Sequence, residues 1–420
     1  MSVSEHKDTV SALIHDSIAQ RVTRRDILRR AAALGVAAPM VAAMVKVSEA
    51  TVIAQDAAAE IVIGCPYNLT GAYQSIDVPA KDGSLLAAAI LNSADGVLGQ
   101  QLRLVVENGE SDLTTITNIC KKMADEDKVV AFVGLTDTDY MRAGGQIAQE
   151  RGIPFIDVGG TAPLITQIGD FIFMLPFGDN VQAAASAEFA KTKGWKTTAM
   201  LIDDAMTYTK FLAKYFVDRF TMDDIAGEVV KELSYQIGDT DFSSQITEIQ
   251  ALNPQPDVLF VSSNPAEIGI IIKQIREAGL ETPILGGDGY DTPTLLELAG
   301  TNAREVYFTT HQGIYGDAPE SKAFSEAYET EYDKIPDSVF AALGFDGINL
   351  MADAMTRAGE TGGEKVRDAL GETTGFKGAT GDISYKDGSH IPDKSVALIE
   401  IKDGKFSLIE IVVPEMVPPA

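Results

Sequence analysis

Along most of this chain, short runs of β-branched and aliphatic residues take turns with longer stretches whose apolar positions fall three and four apart. The stretch 129–163, VVAFVGLTDTDYMRAGGQIAQERGIPFIDVGGTAP, shows the pattern most clearly. Residues 129–133 and 153–158 read as strands and 140–151 as the helix between them, which makes a βαβ unit. Both strands run into turns of glycine and hydroxyl residues, Gly134-Leu135-Thr136-Asp137-Thr138 and Gly159-Gly160-Thr161. In a parallel sheet such ends lie along one edge, where open α/β sheets bind ligands. The N–H groups of Gly159, Gly160 and the helix start near Asp139, with the hydroxyls of Thr138 and Thr161, form a candidate cradle for a small anionic or carbonyl group. Two ordinary βα turns would have the same composition.

The alternation extends in both directions. Strands are predicted at 61–66, 101–107 and 171–175, with helices at 79–92 and 114–127, and this completes a first half. After a helix at 180–193 the pattern restarts, with strands at 197–202, 228–235, 257–261 and 283–285 and helices at 208–220, 242–252 and 265–278. Helices at 321–332 and 339–358 follow, then β-like runs at 381–385, 396–401 and 406–412 that complete both halves. The fold class is therefore α/β, two doubly wound parallel-sheet lobes. No Pro- or Ser-rich linker separates them, so the joins read as a hinge. The expected lobes are 60–179 with 312–375, and 180–311 with 376–420.

The N-terminus changes the setting. Thr23-Arg24-Arg25-Asp26-Ile27-Leu28-Arg29 resembles the twin-arginine export motif and precedes the Ala-rich apolar run 31–45, the length of a signal peptide's hydrophobic region and too short for a membrane span. Residues 1–50 are thus expected to be a signal peptide, with the mature protein in the periplasm. They hold seven Lys/Arg and five Asp/Glu, leaving 27 basic against 56 acidic residues. A surface that acidic makes nucleic acid an unsuitable partner. Beyond residue 50 the chain has two cysteines, Cys65 and Cys120, and two histidines, His311 and His390, too few for a zinc or iron–sulfur cluster, so no metal and no cofactor are expected. Whether the two cysteines pair is open.

From about residue 60 to the end, the chain resembles the leucine/isoleucine/valine-binding type of periplasmic substrate-binding protein, which has the type I fold and serves an ABC importer. The resemblance rests on Asn68-Leu69-Thr70-Gly71 after the first strand, the VVAFVG turn with Thr138, IPFIDVGGTAP, the segment from Asp204 to Tyr208, Pro256-Asp257-Val258-Leu259-Phe260, Ile275-Arg276-Glu277-Ala278-Gly279-Leu280 and Ile284-Leu285-Gly286-Gly287-Asp288-Gly289. It implies a ligand held between two closing lobes. Thr138 and Thr161, with backbone at Gly159 and Gly160, would receive an α-carboxylate, Asp288 an ammonium, and Tyr208 would cover the ligand. Asn264 occupies a position that amino-acid binders of the family often fill with a large aromatic, and Ile76 stands where an aromatic commonly lines the pocket mouth.

The physics of a zwitterion agrees: dipoles and hydroxyls meet its carboxylate and one ionised carboxylate meets its ammonium. Asp288 in Gly-Asp-Gly also fits an Asx-type turn, and Tyr208 and Tyr290 fit lobe-surface packing equally well. Asp137 opposes the scheme, since a carboxylate beside Thr138 would repel a bound one. With Asp77, Asp139 and Asp288 it would make an acidic cleft suited to a cationic or amide ligand. The expected function is delivery of a small polar solute, an amino acid first, to an ABC permease by a monomer. The alternatives are an amide or urea, a cationic solute or an aromatic carboxylate as ligand, and then a secreted α/β hydrolase. That last class lacks its marks here, with no Gly-x-Ser-x-Gly and no His-Glu-x-x-His in the sequence.

Overall fold

The computed structural model describes residues 60–420, so the expected signal peptide at 1–50 and its Arg24-Arg25 pair lie outside the described residues. Two sheets organise the rest. Strands β1 (Ile61–Tyr67), β2 (Leu102–Asn108), β3 (Ala131–Gly134), β4 (Phe155–Asp157) and β5 (Ile172–Met174) form the first, all parallel, in the order β2-β1-β3-β4-β5. Its central strands are apolar and buried on both faces, as a sheet covered by helices on both sides requires. The covering helices are α1 (Gln74–Ser93), α2 (Leu113–Asp125) and α3 (Thr138–Arg151). Asp112 caps α2 by accepting from the Thr115 N–H, and α3 ends on Gly152 in the left-handed region.

Helix α4 (Asp179–Lys193) begins the second half. Strands β6 (Thr197–Asp203), β7 (Glu228–Tyr235), β8 (Val258–Ser262), β9 (Ile284–Gly286) and β10 (Val306–Thr310) form its parallel part, interleaved with α5 (Thr207–Phe220), α6 (Ser243–Gln250), α7 (Ile268–Glu277) and α8 (Pro293–Ala299). Helices α9 (Pro319–Tyr332), α10 (Phe340–Ala358) and α11 (Gly363–Gly371) and the hairpin β11 (Phe376–Gly378)–β12 (Gly381–Ile383) follow. Strands β13 (Val396–Lys402) and β14 (Lys405–Val412) close the chain.

Three features differ from the expectation. The second sheet is not wholly parallel: its order is β14-β13-β10-β9-β8-β6-β7, with β13 antiparallel to β10 and β14 antiparallel to β13. Residues from 376 do not join that sheet at once, because Ile383 and Tyr385 pack in the first core with Phe173 and Met351. The chain leaves that core between Tyr385 and Val396, and the expected boundary at 376 moves accordingly. Helix α1 starts at Gln74, five residues before the expected start at 79, and carries Pro79 inside it. Cys65 on β1 and Cys120 on α2 are buried free thiols.

Candidate ligand-binding site

The C-terminal ends of β3, β4, β8 and β9 converge on one narrow pocket between the two sheets. Thr138, Gly159, Gly160 and Thr161 line it from the first half, and Tyr208 and Asp288 from the second. Six of the seven expected site residues are thus together. Asn264 stands one step behind: its neighbour Pro265 reaches the cavity, while its own Oδ1 accepts from the Tyr73 hydroxyl at 2.5 Å and its Nδ2 donates to Asp203. Ile76 and Phe340 supply apolar wall. Tyr290 is core, its ring buried and its hydroxyl donating to the Val261 carbonyl at 2.6 Å.

The anion cradle differs from the one expected. Gly159 N–H and Gly160 N–H donate to Asp157 Oδ1 at 3.3 and 2.8 Å, and Asp139 N–H donates to Asp137 Oδ1 at 2.8 Å. Those donors are satisfied within the protein and are lost to a ligand. What stays open is at the two threonines. Thr161 Oγ1 is buried and makes no hydrogen bond among the described residues, with the Asp179 carboxyl the acidic group beside it, and Thr138 Oγ1 accepts one bond from Ala162 N–H at 3.3 Å and keeps its own hydrogen to give. Thr136 Oγ1, also on the cavity wall, is unpartnered too. Buried hydroxyls are nearly always hydrogen-bonded in folded proteins, so open ones on a cavity wall have a hydrogen to offer whatever enters it.

Asp137 is accounted for by the backbone. It is the N-cap of α3, with Oδ1 accepting from Asp139 N–H and Tyr140 N–H and Oδ2 from the Tyr73 hydroxyl at 3.0 Å. Burial, helped by the neighbouring charge of Asp139, lifts its carboxyl to about 7. Tyr73 has one hydrogen for two acceptors, Asp137 and Asn264, and a proton on Asp137 completes the set. Asp77 is buried against the Asn68 amide, and Asp139 bonds to Thr207, so the acidic cleft reduces at the cavity itself to Asp137 and Asp288.

Asp288 opens a short turn, Asp288–Tyr290, directly after β9. Its Oδ1 accepts from Gln182 Nε2 at 3.0 Å. Its Oδ2 lies 3.8 Å from His311 Nε2, and burial holds that imidazole down at about 4, so at neutral pH it carries no charge. Among the described residues no lysine or arginine pairs with Asp288. Tyr208, on the first turn of α5, accepts from Gly289 N–H at 3.1 Å and so fixes the turn that carries Asp288. Gln182, Asp157 and Tyr73 were not singled out from the sequence; each is an ordinary helix, strand-end or turn residue until its distant partners are known.

Residues 60–405 match the family model described as periplasmic binding protein. A leucine-, isoleucine-, valine-, threonine- and alanine-binding protein of Pseudomonas aeruginosa is 26% identical over 330 residues, covering 78% of this chain and 86% of its own. The crystal structure of a leucine-binding protein, LivK, from Thermotoga maritima superposes with a TM-score of 0.79 at 30% identity, over 84% of this chain and 99% of its own. The branched-chain amino acid transporter substrate-binding protein LivJ of Streptococcus pneumoniae, in complex with isoleucine, gives 0.79 at 28% identity, over 85% and 100%. A match across that much of the chain settles its kinship: it belongs to the periplasmic binding protein family and is of the leucine/isoleucine/valine-binding-protein-like kind.

Proposed function

We propose that this periplasmic solute-binding protein takes up an amino acid and delivers it to the permease of an ABC importer. The observation that carries this reading is the opposition of two unmatched poles across one cavity. Thr161 brings an unpartnered hydroxyl from the first half and Asp288 a carboxylate without a protein cation from the second. A zwitterion matches both: its carboxylate accepts from the threonine hydroxyls and its ammonium meets Asp288. Ile76 and Phe340 suit a short apolar side chain. The Pseudomonas relative, named for leucine, isoleucine, valine, threonine and alanine, and the pneumococcal complex with isoleucine support the same ligand class. In this reading the two halves act as hinged lobes that close on the ligand, and Arg24-Arg25 directs the folded protein through the twin-arginine route.

A thermal-shift screen of the mature protein against the twenty amino acids, urea, acetamide, putrescine and benzoate tests the ligand class. A ligand at a hundred times its dissociation constant adds about 2.7 kcal/mol. The largest shift is expected from an amino acid; a larger one from any of the other four overturns the amino-acid reading. For export, changing Arg24 and Arg25 together to lysine should leave precursor in the cytoplasm, and normal accumulation of mature protein outside it would exclude the twin-arginine route.

A further inference from the structure

We propose that Gln182 is the positioning residue of the site: its side-chain amide holds the Asp288 carboxylate in place at the cavity and ties it, through Asp179, to the backbone of Thr161. Gln182 is fully buried in the first turns of α4. Its Nε2 donates to Asp288 Oδ1 and to Asp179 Oδ1, both at 3.0 Å. Its Oε1 accepts from Asp288 N–H and from Thr309 Oγ1, both at 3.2 Å. All four hydrogen-bonding positions of the amide are thereby in use, two of them on the one residue Asp288. Asp179 continues the chain of contacts, since its N–H donates to the Thr161 carbonyl at 2.7 Å. One side chain thus stands between the two poles proposed to meet a ligand, Asp288 and Thr161.

Chemistry explains why glutamine serves here. Asp288 needs a donor, and a neutral amide gives it one without adding charge while also meeting Asp179, whose carboxyl burial pushes well above the usual carboxylate range. Glutamate would set a third acid against Asp179 and Asp288; methionine would fill the space and give no hydrogen. Gly287 is part of the arrangement: a Cβ there would lie 3.0 Å from Gln182 Oε1 and 2.7 Å from the Tyr208 hydroxyl, the two groups that hold residues 288 and 289.

The inference rests on the amino-acid reading only for the ligand that Asp288 meets, so its test has one arm that needs no ligand. In a crystal structure of ligand-free Gln182→Met, strand β9 and the Tyr208 bond to Gly289 N–H should stay as in the wild type while the Asp288 carboxylate turns away from its wild-type orientation. A carboxylate that stays in place overturns the proposal. Should Gln182→Met not fold, Gln182→Leu, which is smaller and has no hydrogen-bonding group, is read the same way. The second arm titrates wild type and variant calorimetrically with L-leucine and with 4-methylpentanoate, the same skeleton without the amine. Gln182→Met should weaken leucine at least tenfold and 4-methylpentanoate less than threefold, and in an Asp288→Asn background it should add less than threefold. Equal losses for both probes would mean a merely structural role and overturn the proposal. Wild-type protein that binds none of the twenty amino acids would instead sink the amino-acid reading, and the crystallographic arm alone would then decide on Gln182.

Discussion

The carboxylate of Asp139 caps a helix that belongs to the other half of the molecule: it accepts from Thr207 N–H at 2.8 Å and from Thr207 Oγ1 at 2.6 Å. Helix α5 needs that partner, because its own N-cap residue, Met206, has no side chain able to accept. Asp137, two residues earlier, caps α3 in its own half, so neighbouring aspartates close two helices on opposite sides of the cleft. A capping carboxylate is worth about 1 kcal/mol. If the halves hinge, Asp139→Ala removes that contribution from the closed form alone. Small-angle scattering of the ligand-free variant should give a larger radius of gyration than the wild type, and amide exchange at the start of α5 should quicken. An unchanged radius and unchanged exchange would show that the cap does not hold the cleft shut.

Asp77 should make the protein less stable as pH rises. Its carboxyl is fully buried, accepts one bond from Asn68 Nδ2 at 3.1 Å and leaves Oδ1 without a partner, and burial lifts it to about 8. The unfolded chain releases that proton near pH 3.8 and the folded protein keeps it to about pH 8. The stabilisation is therefore complete below the lower value and is lost across this window, at about 1.4 kcal/mol per pH unit for one such group. Asp77→Asn can keep the Asn68 bond through its carbonyl oxygen and has no proton to lose. Thermal midpoints of the two proteins should converge near pH 4.5 and separate by pH 8.5, with the variant higher; parallel curves would refute the assignment.

Gly159 has no room for a methyl group. A Cβ there would lie 2.7 Å from Thr136 Cα and 2.9 Å from Phe340 Cε1, and the first of these is backbone two residues before Thr138. Overpacking of this kind costs about 1–3 kcal/mol. Gly159→Ala should lower the thermal midpoint by a few degrees and also push the start of α3 away from the cavity, so that ligand affinity falls at least tenfold. Wild-type affinity in a folded Gly159→Ala protein would mean that the β4 turn does not shape the site.

Much of this was legible in the chain because the signals are local. Strand 61–66 and helix 140–151 differ from β1 and α3 by a residue or two at their ends, since β-branched runs and apolar spacing depend on nothing distant. Thr138, Thr161, Tyr208 and Asp288 could be named because parallel strands bring their C-terminal turns to one edge whatever the helices do. Gln182 could not: it reads as one more polar position on a helix, and its partners Asp288 and Thr309 lie 106 and 127 residues away. Asp157 misled in the same way. Glycine N–H groups after a strand look free in sequence, and only the fold shows that the last strand residue turns back to take them. Strand β10 and helices α8 and α11 escape the apolar pattern because each is short, five to nine residues, too few for a period to show, even though Thr292, Pro293 and Gly300 mark the ends of α8.

The ordering of two conservative changes separates an amino acid from other ligands. Asp288→Asn keeps the shape and the Gln182 contact through its carbonyl oxygen, and removes the charge that an ammonium would meet. Truncating one partner of a buried charge pair costs roughly 2–5 kcal/mol. Thr161→Val removes one hydroxyl, which makes no hydrogen bond among the described residues, so the loss is mainly a single bond to the ligand, about 1 kcal/mol plus some desolvation of the group left behind. With an α-amino acid the aspartate change must therefore be the costlier. With an amide or an aromatic acid there is no ammonium, and removing the negative charge at 288 is mild or favourable. Calorimetric titration of both variants with the best ligand from the thermal screen decides between them. A larger loss at Asp288 supports the zwitterion, whereas a larger loss at Thr161 would leave a solute-binding protein whose ligand is held by hydroxyls alone.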